Sequence, residues 1–183
     1  MNYYGAKELA AAFRTVRGNT IKIAEEIPED QYGYRATPES RTVAAMLAHI
    51  ALGARMAEQI HFVEHRTTLA GFDFFAFFGP IMAEEAKPRS KSQILELLRE
   101  EGNKFAQLLE GISEENLAES VEFPQGMVPP SKSRFEMLMS AKEHEMHHRG
   151  QLMLIERMLG ITPHLTRQME ERIASMKAAQ AGG

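Results

Sequence analysis

The chain has no cysteine among its 183 residues. It can therefore form no disulfide bond and no zinc site that depends on thiolate ligands. It also lacks a thiolate nucleophile of its own, so any thiol chemistry would need a thiol that the substrate supplies. The composition, 44% hydrophobic and 25% charged, is otherwise that of an ordinary globular protein. The length predicts one domain over residues 1–183.

The chain also has little excess of charge. It carries 21 Lys and Arg residues against 25 Asp and Glu residues, for a net charge of −4, and the basic residues are scattered along the sequence. Proteins that bind a phosphate backbone concentrate their basic residues in a patch or stripe. We therefore expect no nucleic acid partner.

Long hydrophobic runs are missing as well. The most apolar stretch, GFDFFAFFGPIM at 71–82, is interrupted by an aspartate, and it is shorter than the roughly 20 residues that a bilayer-spanning helix needs. The N-terminal stretch has neither the apolar region nor the cleavage site of a signal peptide. These absences predict a cytoplasmic protein that has no membrane partner.

Apolar residues recur at helical spacing in four long segments. The predicted helices cover about 7–27, 41–66, 92–111 and, starting around Ser131 or Ser133, the segment up to 160, and a short fifth helix follows Pro163. Ser40 is the predicted N-cap of the second helix. No segment alternates with period two for long enough to predict a strand. The pattern predicts an all-α fold, a four-helix bundle with a short extra C-terminal helix and a frayed tail at about 177–183.

The segment at 67–89 is predicted to be a packed loop, because Gly71 and Gly79 interrupt any long helical pattern. It holds five of the ten phenylalanines of the chain. Aromatic residues at this density are typical of a core or a dimer contact, and they also suit the wall of an apolar pocket. Phe75 and Phe78 are the residues whose replacement would separate these alternatives.

The stretch EHEMHHRGQL at 143–152 holds two histidines, His144 and His148, at a spacing of four residues. On a helix this spacing places both side chains on one face, where two imidazoles can bind one metal ion. His49, on the apolar face of the second predicted helix, is the candidate third ligand, with Gly53 leaving room beside its ring. Three histidines leave one coordination position open, as in catalytic sites. On spacing alone, the late pair could equally be ordinary core residues.

A second pair with the same spacing, His61 and His65, lies near the end of the second predicted helix. His61 follows His49 by twelve residues, which is about 18 Å along a helix axis. The pair therefore cannot share a metal site with His49, and we expect both residues to be solvated.

The late histidines also match the H-E-x-x-H pattern of zinc proteases, with Glu145 as general base. That interpretation needs a third ligand downstream. The metzincin extension fails, because Gln151 and Leu154 occupy the positions that should be glycine and histidine. Glu170 or Glu171 fits a gluzincin only loosely. No strand is predicted along which such a protease could align a peptide.

Taken with YRATPESRTVAAMLAHI at 34–50, the motif HEMHHRGQL at 144–152 resembles the DinB/YfiT-like family of four-helix-bundle metalloenzymes. The family pattern has one histidine late in the upstream segment and H-x-x-x-H-R-G-Q on a later helix. The match runs in order and spacing from about Leu9 to Gly160. The late motif is fairly specific, and the upstream segment supports it mainly by its position.

The resemblance implies that His49, His144 and His148 bind a divalent metal ion, usually nickel or zinc. It assigns no role to His147 and no fixed role to Glu145. We expect Glu145 to be a surface residue, with an acid/base role as the alternative.

The next three residues of the motif, Arg149, Gly150 and Gln151, have local explanations. Gly150 costs about 1 kcal/mol relative to alanine within a helix, which predicts a close approach to a neighbouring helix. We expect Arg149 to be a solvated or ion-paired surface residue and Gln151 to lie at the edge of the core. The resemblance implies no substrate role for either.

The resemblance also implies a small-molecule substrate and a homodimer. The family members with known activities use glutathione, bacillithiol or mycothiol, so a thiol S-transferase reaction with a low-molecular-weight thiol is the expected activity. Two alternatives stay open. One is a hydrolase that uses metal-bound water, and the other is a non-catalytic stress-response protein in which the metal ion is structural.

Overall fold

The computed structural model describes residues 4–181, so residues 1–3 and the last two residues of the predicted frayed tail lie outside the described chain. Its α-helices are α1 (Ala6–Glu26), α2 (Val43–Leu52), α3 (Arg55–Glu58), α4 (Phe74–Glu85), α5 (Lys91–Gly111), α6 (Glu114–Ala118), α7 (Arg134–Met158) and α8 (His164–Ala181). The remaining elements are a 3-10 helix at Glu29–Gln31, a π-helix at Gln59–Val63, and the strands β1 (Ser120–Glu122) and β2 (Ser131–Ser133). None of the helices in this range is long and apolar enough to cross a membrane.

Hydroxyl side chains cap the starts of α2, α5 and α7, whereas the N-cap of α1 is Gly5. Ser90 caps α5 and Ser133 caps α7, each in a capping box with the residue three positions later. The N-cap of α2 is Thr42, whose side chain accepts the backbone N–H of Ala45. The predicted cap at Ser40 is therefore wrong by two residues, although the start of the helix is close to its predicted position.

The second predicted helix, at 41–66, is divided in the structure. The α-helical backbone of α2 ends at Leu52, and α3 is followed directly by the π-helix at Gln59–Val63. A π-helical turn contains an extra residue, and such turns are frequent at functional sites. His61 lies within this turn, and its side chain is buried.

Four helices, α1, α2, α5 and α7, form the bundle. α1 packs against α5 and α7, and α2 packs against the same two helices, so the four close into a ring. Residues of the predicted apolar stripes fill its interior, among them Leu9, Phe13, Leu47, Leu98 and Leu152. The predicted all-α four-helix bundle is confirmed. The extra helix α8 is longer than the short helix predicted after Pro163, and it includes residues 177–181, so the predicted fraying is wrong for the described part of the tail.

Arg17 of α1 reaches the other three bundle helices from inside the core, where it is 4% exposed. Its Nε donates to Oε1 and Oε2 of Glu145 in α7, at 3.0 and 3.1 Å. Its Nη1 donates to the carbonyl of Leu98 in α5 at 2.8 Å, and its Nη2 to the carbonyl of Ile50 in α2 at 3.2 Å. A Cβ at Gly102 would lie 2.8 Å from Cγ of Arg17. The glycine thus leaves room for a side chain that ties the four helices together.

Most of the segment predicted as a packed loop at 67–89 is the helix α4. Asp73 caps it by accepting the N–H of Ala76 at 2.9 Å. Pro80 lies within the helix, and together with Gly79 it hides the helical pattern in the sequence. Because α4 packs against α2, the correction places a helix beside His49.

The two short strands pair antiparallel, with Val121 opposite Lys132. Thr68 joins Glu122 in a parallel bridge. Each strand has three residues, which is too few for an alternating pattern to be recognised. The sequence predicted no strand, and this pair shows that the prediction is wrong. Residues 4–181 contain no other strand.

Candidate metal centre

The histidines His49, His144 and His148 converge where α2 faces α7. Nε2 of His144 lies 3.1 Å from Nε2 of His49 and 3.1 Å from Nε2 of His148. One ring nitrogen from each residue lies within 4.8 Å of the other two. Three nitrogen donors around one point are what a divalent ion needs, at about 2.0–2.1 Å from each. The structure thus brings together the three residues that the sequence predicted as ligands.

Two further side chains orient these rings. Nδ1 of His49 lies 2.8 Å from Oε1 of Glu85 in α4, and Nδ1 of His148 lies 2.9 Å from Oε1 of Gln151. A carboxylate or amide oxygen accepts a hydrogen bond, so each Nδ1 carries a proton, and in the neutral form of each ring Nε2 then keeps its lone pair. Metal-binding histidines are usually oriented by contacts of this kind. The lone pairs are therefore directed at the centre of the cluster.

Burial keeps the late histidines uncharged. It lowers the pKa of His144 to about 4, with a further decrease caused by the neighbouring His148 and His49. Burial also lowers the pKa of His148. The ordinary pKa of histidine is about 6.5, so both rings are neutral at pH 7. The neutral ring is the form that binds a metal ion.

Gly53 makes room within the cluster, but for a different ring from the one expected. A Cβ at this position would lie 3.1 Å from Nδ1 of His144. We predicted that Gly53 leaves room for the ring of His49. In the structure it leaves room for the ring of His144 instead. A larger residue at Gly53 would press on that ring from the α2 side.

Glu145 lies next to His144 in sequence, but it is 2% exposed and its carboxylate binds Arg17. The expectation of a surface glutamate is wrong. The motif spacing could not reveal this burial, because the partner lies on α1. The acid/base alternative stays a prediction.

The other residues of the late motif differ in how they match expectation. Gln151 contacts the ring of His148, as described above, and its Nε2 lies 3.2 Å from Nε2 of His147. A Cβ at Gly150 would have no neighbouring atom within 4 Å. The predicted close helix approach at Gly150 is therefore wrong. Arg149 is half-buried, and this burial lowers its pKa.

A cavity of about 890 Å³ opens beside the histidine cluster. Its walls are largely apolar, and α4 supplies one of them through Phe78, Ile81 and Met82. Arg41 and Lys132 bring positive charge to the lining. The volume is typical of a site for a small molecule.

The phenylalanine-rich segment thus provides one wall of the cavity through Phe78. Phe75, in contrast, points away from the bundle and is 93% exposed. An exposed aromatic side chain suits a contact with a second subunit. The homodimer stays a prediction.

His61 also lines this cavity, and it is 2% exposed. The expectation that it is solvated is wrong, whereas His65 is exposed as expected. Nη1 of Arg134 lies 2.8 Å from Nδ1 of His61. Burial, together with the positive charge of Arg134, lowers the pKa of His61 to about 4. His61 is therefore a neutral polar group within a mainly apolar wall.

Sequence reasoning missed Glu85 and His61 as residues of the site. Had 74–85 been assigned as a helix, Phe78, Ile81 and Glu85 would have fallen on one face, at spacings of three and four. That pattern would have placed Glu85 beside the pocket. The burial of His61 has no comparable local signal, because it depends on a partner far along the chain.

The protease interpretation needs a third metal ligand downstream of the late histidines. In the structure the third histidine of the cluster is His49, which lies upstream. Glu170 and Glu171 are exposed on α8. The geometry therefore favours the upstream ligand over either glutamate.

The sequence matches the model of the DinB superfamily over residues 12–152. It is 24% identical to the protein YjoA of Bacillus subtilis over 163 aligned residues. This alignment covers 86% of this chain and 92% of YjoA. The crystal structure of YjoA, described as DinB-like, has a TM-score of 0.62 at 21% identity, over 85% of this chain and 93% of that chain.

Two further solved structures share the fold. YfiT of Bacillus subtilis has a TM-score of 0.65 at 16% identity, over 88% of this chain and 91% of its own. It is described as "a probable metal-dependent hydrolase with an unusual four-helix bundle topology". A DinB-like protein of Bacillus cereus has a TM-score of 0.61 at 18% identity, over 85% of this chain and 93% of its own. At these identities the structural matches establish the fold alone.

Proposed function

The chain belongs to the DinB superfamily, and we propose that it is a metal-dependent enzyme in which His49, His144 and His148 hold a divalent ion. The convergence of three imidazole nitrogens on one point carries this proposal. Nickel or zinc is the proposed ion, and three histidine ligands leave one position open to a substrate. The proposed reaction transfers a low-molecular-weight thiol to an electrophile.

The donor set fits a divalent transition-metal ion. Imidazole nitrogen suits zinc, nickel, cobalt and iron(II), and the contacts with Glu85 and Gln151 hold two of the rings in the tautomer that metal binding requires. A bound ion would supply a lowered pKa for a thiol or water molecule at the open position. The protein's part is to hold the three rings in place before the ion arrives.

The rest of the cavity suits a thiol reaction. Because the chain has no cysteine, the thiol must come with the substrate. The apolar walls exclude water and accommodate an apolar electrophile. Arg41 and Lys132 are available to bind the carboxylates that low-molecular-weight thiols commonly carry.

A hydrolase is the second candidate, and the description of YfiT favours it. The two activities differ in what they consume. A hydrolase turns over with water alone, whereas a thiol transferase needs an added thiol and consumes it with the electrophile. Turnover of an ester or amide library without thiol would favour hydrolysis, and thiol-dependent loss of an electrophile would favour transfer.

A purely structural ion is the third candidate. Apolar clusters and the contacts of Arg17 hold the bundle helices together, and none of these interactions needs a metal ion, although His148 is itself buried. We therefore propose that the metal-free protein stays folded. A loss of most of the stability on chelation would instead indicate a structural ion.

Metal content tests the proposed site directly. We expect the wild-type protein, purified without a His-tag, to hold about one ion per chain by plasma mass spectrometry, since residues 4–181 bring together one such set of ligands. His49→Ala and His144→Ala should each lose it, because two ligands make a weak site. His65→Ala, which removes an exposed histidine, is the matched control and should keep the ion.

Two results would count against this site. If His49→Ala keeps its metal while His144→Ala loses it, the third ligand lies elsewhere and the zinc-protease interpretation gains support. If the wild-type protein binds no divalent ion at all, the metal-dependent function is wrong.

Glu85 gives a second prediction about the same site. Replacing it with glutamine keeps the size and an acceptor oxygen, but removes the negative charge that orients and polarises His49. Loss of such an outer contact typically weakens metal binding by about 10–100-fold, and we expect this decrease in a competition titration with a chelating dye. Glu84→Gln, one residue earlier on α4, is the matched control. Equal affinities for the two variants would show that Glu85 does not support the metal ligand.

A further inference from the structure

The side chain of His61 separates two cavities. It lines the 890 Å³ cavity that His49 and His144 also line, and it lines a second cavity of about 400 Å³. Arg134 lines the smaller cavity and is itself buried. The Nδ1 edge of the His61 ring contacts the buried cation of Arg134, and the residue also lines the large cavity.

The contact with Arg134 fixes the tautomer of His61. A guanidinium has donors and no acceptor, so Nδ1 of His61 must accept the hydrogen bond from Nη1 of Arg134. The proton of the neutral ring is then on Nε2. Arg134 is held in turn by the carbonyl of Arg66 at 3.1 Å and by the carboxylate of Glu119. The tautomer is thus set before any ligand binds.

The proton on Nε2 has no partner within the described chain. The structure gives this atom no hydrogen bond to any residue at 4–181, and it is not sealed in the packed core as the unpartnered oxygens of Glu156 are. The nearby lining of the large cavity is apolar, with Met56, Ile60 and Met137. An acceptor supplied from the cavity would therefore be the partner that this donor lacks among the described residues.

The donor and the histidine cluster line one cavity from different elements. His49 lies on α2 and His61 lies twelve residues later, in the π-helix, a separation on the order of 15 Å along the successive helices. Between the two lie largely apolar walls. The cavity therefore has a metal-binding pole, an apolar middle and a neutral hydrogen-bond donor at the far pole.

We propose that His61 is a substrate-binding residue whose Nε2–H donates to an acceptor at the far end of an elongated substrate. The reactive end of that substrate lies at His49, His144 and His148, and its middle is apolar. This substrate class rests on the proposed function only for the reactive end. The binding role of His61 stands on its own contacts.

Straight-chain fatty acids and their ω-hydroxy counterparts of equal length are the probes. The carboxylate matches the metal pole and Arg41, and the two molecules differ only in the acceptor at the far end. At the chain length that binds best, we expect the wild-type protein to bind the ω-hydroxy acid about threefold to tenfold more tightly than the plain acid in calorimetry. A difference of this size corresponds to the net contribution of one hydrogen bond. His61→Phe keeps a ring but removes the donor, so it should abolish or reverse the preference. His65→Ala should keep it.

A second measurement keeps the test decisive if His61→Phe does not fold. Nitrogen–proton NMR of the wild-type imidazoles should show His61 protonated on Nε2, with that resonance shifting on addition of the ω-hydroxy acid and not the plain acid. A proton on Nδ1, the absence of a shift, or an unchanged preference in His61→Phe would overturn the proposal. So would a failure of wild-type protein to bind either probe.

The outcomes for the two proposals can be separated by repeating the titration on metal-free protein. If the protein binds no metal but still prefers the ω-hydroxy acid in a His61-dependent way, the proposed role of His61 is supported and the metal-dependent function is wrong. Normal metal binding without a His61-dependent preference would do the reverse.

Discussion

Replacing Glu145 with alanine should lower the free energy of unfolding by about 3–5 kcal/mol, the usual effect of removing one partner of a buried ion pair. The variant would leave the guanidinium of Arg17 inside the bundle without its counter-charge. Its remaining bonds, to the carbonyls of Leu98 and Ile50, do not neutralise it. Denaturant unfolding followed by far-UV circular dichroism measures the difference.

Two variants serve as references for this result. Glu143→Ala removes an exposed glutamate two residues earlier on α7 and should change stability by less than about 0.5 kcal/mol. The double variant Arg17→Met with Glu145→Leu replaces the whole pair by apolar groups and should recover much of the lost stability. If Glu145→Ala instead keeps full stability and binds metal but loses turnover, the acid/base alternative for Glu145 is supported and its structural role is wrong.

The bundle and the histidine cluster could be predicted because their signals are local and periodic. Apolar spacing identified the four bundle helices, and the spacing of His144 and His148 is fixed by a single helical turn. The pairing of these residues with His49 came from the family resemblance and from its place on an apolar face. The geometry agrees with that pairing.

Contacts that depend on distant partners could not be predicted in this way. Arg17 occupies a core position on α1, and in sequence it is an arginine beside an apolar stripe. Its burial becomes intelligible only with Glu145, 128 residues away, and with the space at Gly102. Arg134 and His61 are separated by 73 residues. A buried polar group is tolerated only when its partner is present, and single-sequence periodicity does not identify partners.

Helix α4 shows a different limit. Its glycine and proline at 79–80 are residues with low helix propensity, so the local pattern predicts a loop. In the structure the Asp73 cap and packing against α2 outweigh that preference. Because α4 carries Glu85 and one cavity wall, this single error concealed both the outer contact of His49 and the composition of the pocket.

Glu156→Gln should change how stability depends on pH. Glu156 is 0% exposed, and neither of its carboxylate oxygens has a hydrogen-bond partner among the described residues. Burial raises its pKa from 4.5 to about 7, and the neighbouring Glu26 raises it further, against smaller opposing effects of Arg167 and Arg157. Glu26 itself binds Arg167 at 2.7 Å and Lys22 at 3.4 Å. The protonated form of Glu156 is thus the one that suits the fold.

The direction of the effect follows from proton linkage. Between pH 4.5 and about 7 the folded protein holds a proton on Glu156 that the unfolded chain has released, so this stabilising contribution is complete below pH 4.5 and is lost as the pH rises to about 7. The loss is on the order of 2–3 kcal/mol. Glutamine is neutral at every pH, so the Glu156→Gln variant should not lose this stability as the pH rises.

We therefore expect Glu156→Gln to be more stable than wild type at pH 8 by about this amount, on the order of 2–3 kcal/mol, and nearly equal to it at pH 4.5. Buried His61, His144 and His164 have lowered pKa values and destabilise both proteins at acid pH, so the difference between the two curves isolates Glu156. Glu170→Gln, on the exposed face of α8, is the control and should follow wild type. Parallel curves for Glu156→Gln and wild type would mean that the carboxylate of Glu156 is already ionised or hydrated within the fold.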